Sequence, residues 1–152
     1  MSRKHPSVAG LVLGAAIMLA GCASAAPAEA PPATVTPIAG SQVSRLELTD
    51  RAIQRLGLRT QPVREAAQAG RHPGKTGART VIPYSAVVYD TGGSTWAYVN
   101  TAARIYVRQP IVITAIQGDT AILSGGPRVG AAVVTVGAAE LLGTEYNISG
   151  EE

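Results

Sequence analysis

Phenylalanine is absent from this 152-residue chain, aromatic residues make up 4% of it, and there are one cysteine, two histidines and two methionines. A lone cysteine forms no internal disulfide, and with only His5 and His72 beside it a closed four-ligand zinc site cannot be assembled. Both methionines, Met1 and Met18, lie in the first 21 residues; once that segment is removed, no thioether remains for soft copper or silver ions. Long helices are disfavoured by 17 glycines and 10 prolines, while 46% hydrophobic content argues against wholesale disorder. One domain built of short strands and turns is the class that survives these exclusions.

The N-terminus reads as an export signal. Arg3 and Lys4 form a basic start, and residues 8–20 are an apolar run too short to span a bilayer comfortably. The run closes on Leu19-Ala20-Gly21-Cys22, which resembles the lipobox of bacterial lipoproteins. That resemblance implies cleavage after residue 21 and diacylation of Cys22, which then anchors the chain. Two acyl chains hold a protein stably on a membrane, each buried methylene contributing about 0.8 kcal/mol.

Loss of residues 1–21 leaves eleven basic against ten acidic side chains, a net charge of +1. The remainder is lopsided. Residues 41–79 carry eight basic and three acidic side chains, and residues 80–152 three basic and six acidic. Arg51, Arg55 and Arg59 recur every four residues within the basic part. Such a segment is either an ordinary solvated surface or a docking face for acidic protein or lipid headgroups. Nucleic acid is not an expected partner for an exported, tethered chain with so few aromatics beside its arginines.

Residues 22–42 read as a tether, since Pro27, Pro31, Pro32 and Pro37 in an alanine-rich stretch predict an extended linker over 23–40. The β domain is expected over 43–152. Leu46 and Leu48 alternate with polar neighbours; Thr49 can cap a short helix that places Ala52, Ile53 and Leu56 on one face, and Gly57 can stop it. Residues 58–63 are extended, and 66–79 form a loop rich in glycine and proline. Extended pieces follow at 80–82, 86–89 and 95–99, the last two joined by a Gly92-Gly93 turn. A longer stretch at 104–116 is interrupted by Pro110, which predicts an edge or a bulge. Gly118-Asp119 turns into 120–123, residues 131–136 are the last strand, and 138–142 suit one helical turn. The predicted fold is mainly β, a small antiparallel sandwich or barrel with one short helix.

Residues 69–76 satisfy a relaxed phosphate-loop pattern ending in Gly74-Lys75-Thr76. That chemistry needs a buried strand before the loop and a helix after it. Neither flank fits, so no nucleotide is expected. Ser85 and Ser94 have no histidine nearby in sequence, and a serine triad would have to be built around His72 alone. No catalytic constellation, metal site or cofactor emerges. Trp96, Tyr98, Tyr84, Tyr89 and Tyr106 either pack the core or line a ligand groove. Residues 147–149 fit a glycosylation acceptor, which means little in a bacterial lipoprotein.

Two separated stretches carry a family resemblance. Residues 46–63, LELTDRAIQRLGLRTQPV, resemble the opening of periplasmic adaptor subunits (membrane fusion proteins) of RND-type efflux pumps. Residues 81–88, VIPYSAVV, with Trp96-Ala97-Tyr98-Val99, Gly118-Asp119, residues 125–130 and residues 133–137, are similar in order and spacing to the closing part of the same proteins. In that family the two parts meet as the membrane-proximal β domain, separated by an inserted barrel, a lipoyl-like domain and a helical hairpin. Here the loop at 66–79 stands in place of the whole insert, and without the hairpin the chain cannot reach an outer-membrane channel.

The resemblance implies a non-enzymatic, lipid-anchored, adaptor-like component of an efflux system. It would lie on the outer or periplasmic side of a membrane, docked on a transporter or full adaptor, with Arg51, Arg55, Arg59, Trp96 and Tyr98 as candidate contacts. The alternative is a stand-alone envelope lipoprotein that binds a small molecule or cell-envelope component through Trp96 and the nearby tyrosines.

Overall fold

The computed structural model describes residues 30–66 and 79–146. Two antiparallel sheets stack face to face, and two helices cover the outer face of the larger one. Its strands are β1 (Ala33–Pro37), β2 (Ser44–Leu48), β3 (Arg59–Pro62), β6 (Val88–Tyr89), β7 (Thr95–Ala102), β8 (Ile105–Pro110) and β11 (Ala132–Val136). They run in the order β1-β2-β8-β7-β11-β3, and β6 pairs beside β11 along the free edge of β7. The smaller sheet holds β4 (Arg64–Glu65), β5 (Thr80–Pro83), β10 (Thr120–Gly125) and β9 (Val112–Gln117), in that order. Helix α1 spans Asp50–Leu56 and α2 spans Ala138–Glu145.

Strand alternation explains the layering, because successive side chains of a strand leave opposite faces. On β7, Ala97 and Val99 enter the core between the sheets, with Val63, Ile82, Ile111, Leu123 and Val133. Trp96 and Tyr98 turn the other way, into a second core with Leu46, Leu48, Tyr106, Val134 and Leu141 beneath the helices. β11 splits in the same manner at Val133 and Val134. The larger sheet is thus apolar on both faces, and helices are needed to cover the one that the smaller sheet does not.

Helix α1 begins at Thr49, whose Oγ1 accepts the Ala52 amide at 3.2 Å, and ends where Gly57 takes φ +60°. α2 starts from Gly137 at φ +86°, where an added Cβ would lie 2.1 Å from the Leu58 side chain. Only glycine joins β11 to α2 at this distance from the chain that leaves α1.

Several expectations need correction. Residues 33–37, assigned above to the linker, form β1 and pair with all of β2, from Ala33 opposite Leu48 to Pro37 opposite Ser44. The folded unit therefore begins at Ala33, ten residues before the expected start at Val43. Thr34, Val35 and Thr36 supply the branched side chains a strand accepts, and both prolines flanking them fall at its ends. The helical turn expected at 138–142 is α2, which runs on to Glu145 for two turns, and residues 84–86 form a single 3₁₀ turn ahead of β6. The stretch at 104–116 is two strands in different sheets. Pro110 closes β8, buried Ile111 donates its amide to the Thr95 carbonyl at 3.0 Å, and the chain crosses to the smaller sheet as β9. The missing amide of Pro110 marks this corner and not an edge or bulge within one strand.

Cys22, His72 and the phosphate-loop-like residues 69–76 lie outside the described residues, as do residues 147–149. No described helix is long and apolar enough to cross a membrane.

Candidate functional site

The five candidate contacts do not form one surface. Arg51 and Arg55 project from α1 and Arg59 from the start of β3, all three exposed. Tyr98 is fully buried and therefore closed to any partner. Trp96 is half-buried, and its indole N–H donates to Asp90 Oδ2 at 2.9 Å. Of the two uses considered for these side chains, core packing is the one Tyr98 and Tyr106 serve, whereas Tyr84 and Tyr89 are exposed, their hydroxyls 3.3 Å apart.

Around Tyr98 the structure assembles a polar cluster that sequence reading missed. Arg108 of β8 is 4% exposed, and its Nε donates to Glu145 Oε1 at 3.0 Å. Its Nη2 donates to the Gln42 carbonyl at 2.7 Å. Glu145, the last residue of α2, also accepts the Ser44 amide at 2.8 Å and the Tyr98 hydroxyl at 2.5 Å. The guanidinium carbon sits 4.5 Å from the Trp96 ring centre and 5.3 Å from that of Tyr146, within cation–π range of both. Arg108 Nη1 is buried and finds no hydrogen-bond partner among the described residues.

Burial and hydrogen bonding together set the electrostatics. The Tyr98 phenol is pushed well above its ordinary pKa by burial first, then by its hydrogen bond to Glu145 and that residue's charge. For Arg108 burial pulls the pKa down, but the hydrogen bond and charge of Glu145, with Tyr146 and Tyr98, outweigh it and the net direction is upward. Asp90 is held below the usual carboxylate range by the Trp96 indole and by the Ser94 and Gly92 amides, which donate to its Oδ1 at 2.8 and 2.9 Å. Each of these charges is committed to a neighbour. The cluster is a clamp that fixes α2 and the start of β2 to the middle of the larger sheet.

A periodicity signal for this clamp was present in the sequence. Arg108 is in phase with Tyr106 on β8, so it shares the inward face, and Glu145 follows Ala138, Leu141 and Leu142 at helical spacing. A charge in phase with buried positions implies a buried partner.

The opening that does exist lies elsewhere. A groove of about 460 Å³ runs between β1 and α1, floored by Val35, Leu48 and Leu56 and walled by Pro31 and Pro32, with Arg55 at its rim. The Thr49 amide donates to the Pro32 carbonyl at 3.0 Å, which fixes the entering chain along the groove. Among the described residues no three His, Cys, Asp or Glu side chains gather to hold a metal ion. No protein-family model matches the chain, and no curated protein matches it.

Proposed function

We propose that the chain is a lipid-anchored, non-enzymatic, adaptor-like component of an efflux transport system. In this reading Cys22 carries the acyl chains, and the β domain docks on an RND-type transporter or a full adaptor at the outer face of a membrane. One observation carries it. The two stretches that resemble an adaptor's opening and closing parts meet where β3 pairs with β11, and the chain beside them also crosses between the two halves, β2 lying against β8 and β4 against β5. The ends of the 66–79 segment meet, the Ala66 amide donating to the Arg79 carbonyl at 2.8 Å. A chain that leaves and re-enters a sheet at one point can carry an insert of almost any size there.

Photocrosslinkers at Arg59 and Ile116, both exposed, test the docking in intact cells. Capture of a transporter or full-adaptor subunit is the expected result, and failure at both positions to capture either overturns the reading. The anchor has its own test. Wild type should incorporate an alkyne-palmitate label that Cys22→Ala does not, and an unlabelled wild type removes the anchor.

The second reading, a stand-alone envelope lipoprotein that binds a small molecule or envelope component, draws support from the groove beside α1. Its volume falls in the range of small-ligand sites, roughly 300–1,000 Å³.

A further inference from the structure

We infer that the groove between β1 and α1 is a phospholipid site, in which Arg55 meets the phosphate of an anionic membrane lipid and an acyl chain lies along Val35, Leu48 and Leu56. The argument begins with β1. Because residues 33–37 are locked into the sheet and Pro32 is bonded to Thr49, the stretch between Cys22 and the fold is much shorter than the proline-rich composition suggests. Eight residues separate Cys22 from Pro31, a span of at most about 30 Å when fully extended. The groove opens where that stretch enters the fold. It is the part of the domain that stays nearest the bilayer if Cys22 is the anchor, and the inference rests on the anchor reading for this proximity alone.

The chemistry of the groove matches such a neighbour. Its floor is aliphatic, as an acyl chain requires. Two of the carboxylates on this side are paired, Glu47 lying 3.9 Å from Arg45 and Asp50 3.2 Å from Arg104, while Glu140 stands one turn before the groove residue Thr144. Arg55 and Arg59 pair with no carboxylate among the described residues, which leaves Arg55 at the groove's rim available to an anion. Each basic residue within a Debye length of an anionic surface contributes about 1 kcal/mol of attraction, a factor of about five in binding.

The test uses the mature chain, residues 22–152, carrying Cys22→Ala so that no acyl group of its own contributes; every described strand, helix and core residue lies within it. Sedimentation with phosphatidylcholine vesicles is compared with vesicles containing phosphatidylglycerol. Binding several-fold stronger to the anionic vesicles is expected, falling about five-fold in Arg55→Ala. Equal binding to both, binding to neither, or an unchanged Arg55→Ala variant overturns the inference. A phosphatidylglycerol with a photoreactive acyl chain supplies the second readout, independent of any substitution in the groove. Adducts should fall within residues 31–35 and 48–56, and adducts confined to other residues overturn it. Palmitate labelling is read on wild type and vesicle binding on a chain that cannot be acylated, so the anchor and the groove can fail separately.

Discussion

Removing the Glu145 carboxylate strips three groups of their partner at once. In Glu145→Ala the Arg108 guanidinium keeps its position inside the larger sheet's helix-covered core but loses its counter-charge, while the Ser44 amide and the Tyr98 hydroxyl lose their acceptor. Breaking a buried ion pair from one side costs about 3–5 kcal/mol. For a domain of this size each kcal/mol lowers Tm by roughly 3–5 °C, so a fall of about 10–20 °C is expected. Urea titration followed by far-ultraviolet circular dichroism gives the free energy, and Trp96 reports the site directly, being the single tryptophan of the chain and stacked on Arg108. Its emission should shift to the red in the folded variant.

The companion experiment separates the net value of the pair from the cost of breaking it. Arg108→Met with Glu145→Leu replaces both charges by apolar groups of similar size, and such exchanges are commonly neutral or stabilising. The double variant should recover most of the loss, giving a coupling energy of several kcal/mol. A loss below about 1 kcal/mol in Glu145→Ala, or a double variant as unstable as the two single losses added together, would refute the clamp.

The remaining predictions concern local features. Asp90 has a depressed pKa, so its hydrogen bonds support the β6–β7 turn at every pH above the ordinary value of 3.8, and that support is lost as pH falls through the lower folded-state value. NMR titration should find the Asp90 carboxyl protonating below 3.8, and Asp90→Asn should abolish this step in Trp96 emission; a midpoint at or above 3.8 contradicts the turn's role. Gly137→Ala places a side chain in the left-handed region and against Leu58, and should cost about 1–2 kcal/mol from backbone strain alone, read as a lower urea midpoint at unchanged slope. Insertion of a folded domain of about 90 residues within 67–78 should cost about 2 kcal/mol, because loop-closure entropy grows only logarithmically. Unfolding of such a chimera would contradict the β4–β5 junction as an insertion point.

Much of the sheet was legible because its signals are local. The alternation of Leu46 and Leu48, the Thr49 cap, the Gly57 stop, and the turns at Gly92-Gly93 and Gly118-Asp119 each depend on residues within a few positions of one another. β1 was hidden by its surroundings: the prolines and alanines around Thr34-Val35-Thr36 dominate a compositional reading, and the strand exists only because β2 offers it an edge. The division of residues 104–116 between two sheets was also illegible, since Pro110 says that a ladder ends and not where the chain goes next. The clamp demanded the most. Arg108 and Glu145 are partners across 37 residues, and phase alone shows that each is buried without showing that they meet.

The interleaving of early and late strands also dictates when this fold can exist. Gln61 waits for Val133, and the Ser44 amide waits for Glu145, a separation of 101 residues. A ribosome delivering the chain from its N-terminus completes the smaller sheet only with β10 and the larger one only with β11, and pairings so remote in sequence close slowly. Until then the nascent polypeptide stays pliable, the state in which a protein can be threaded through a narrow pore.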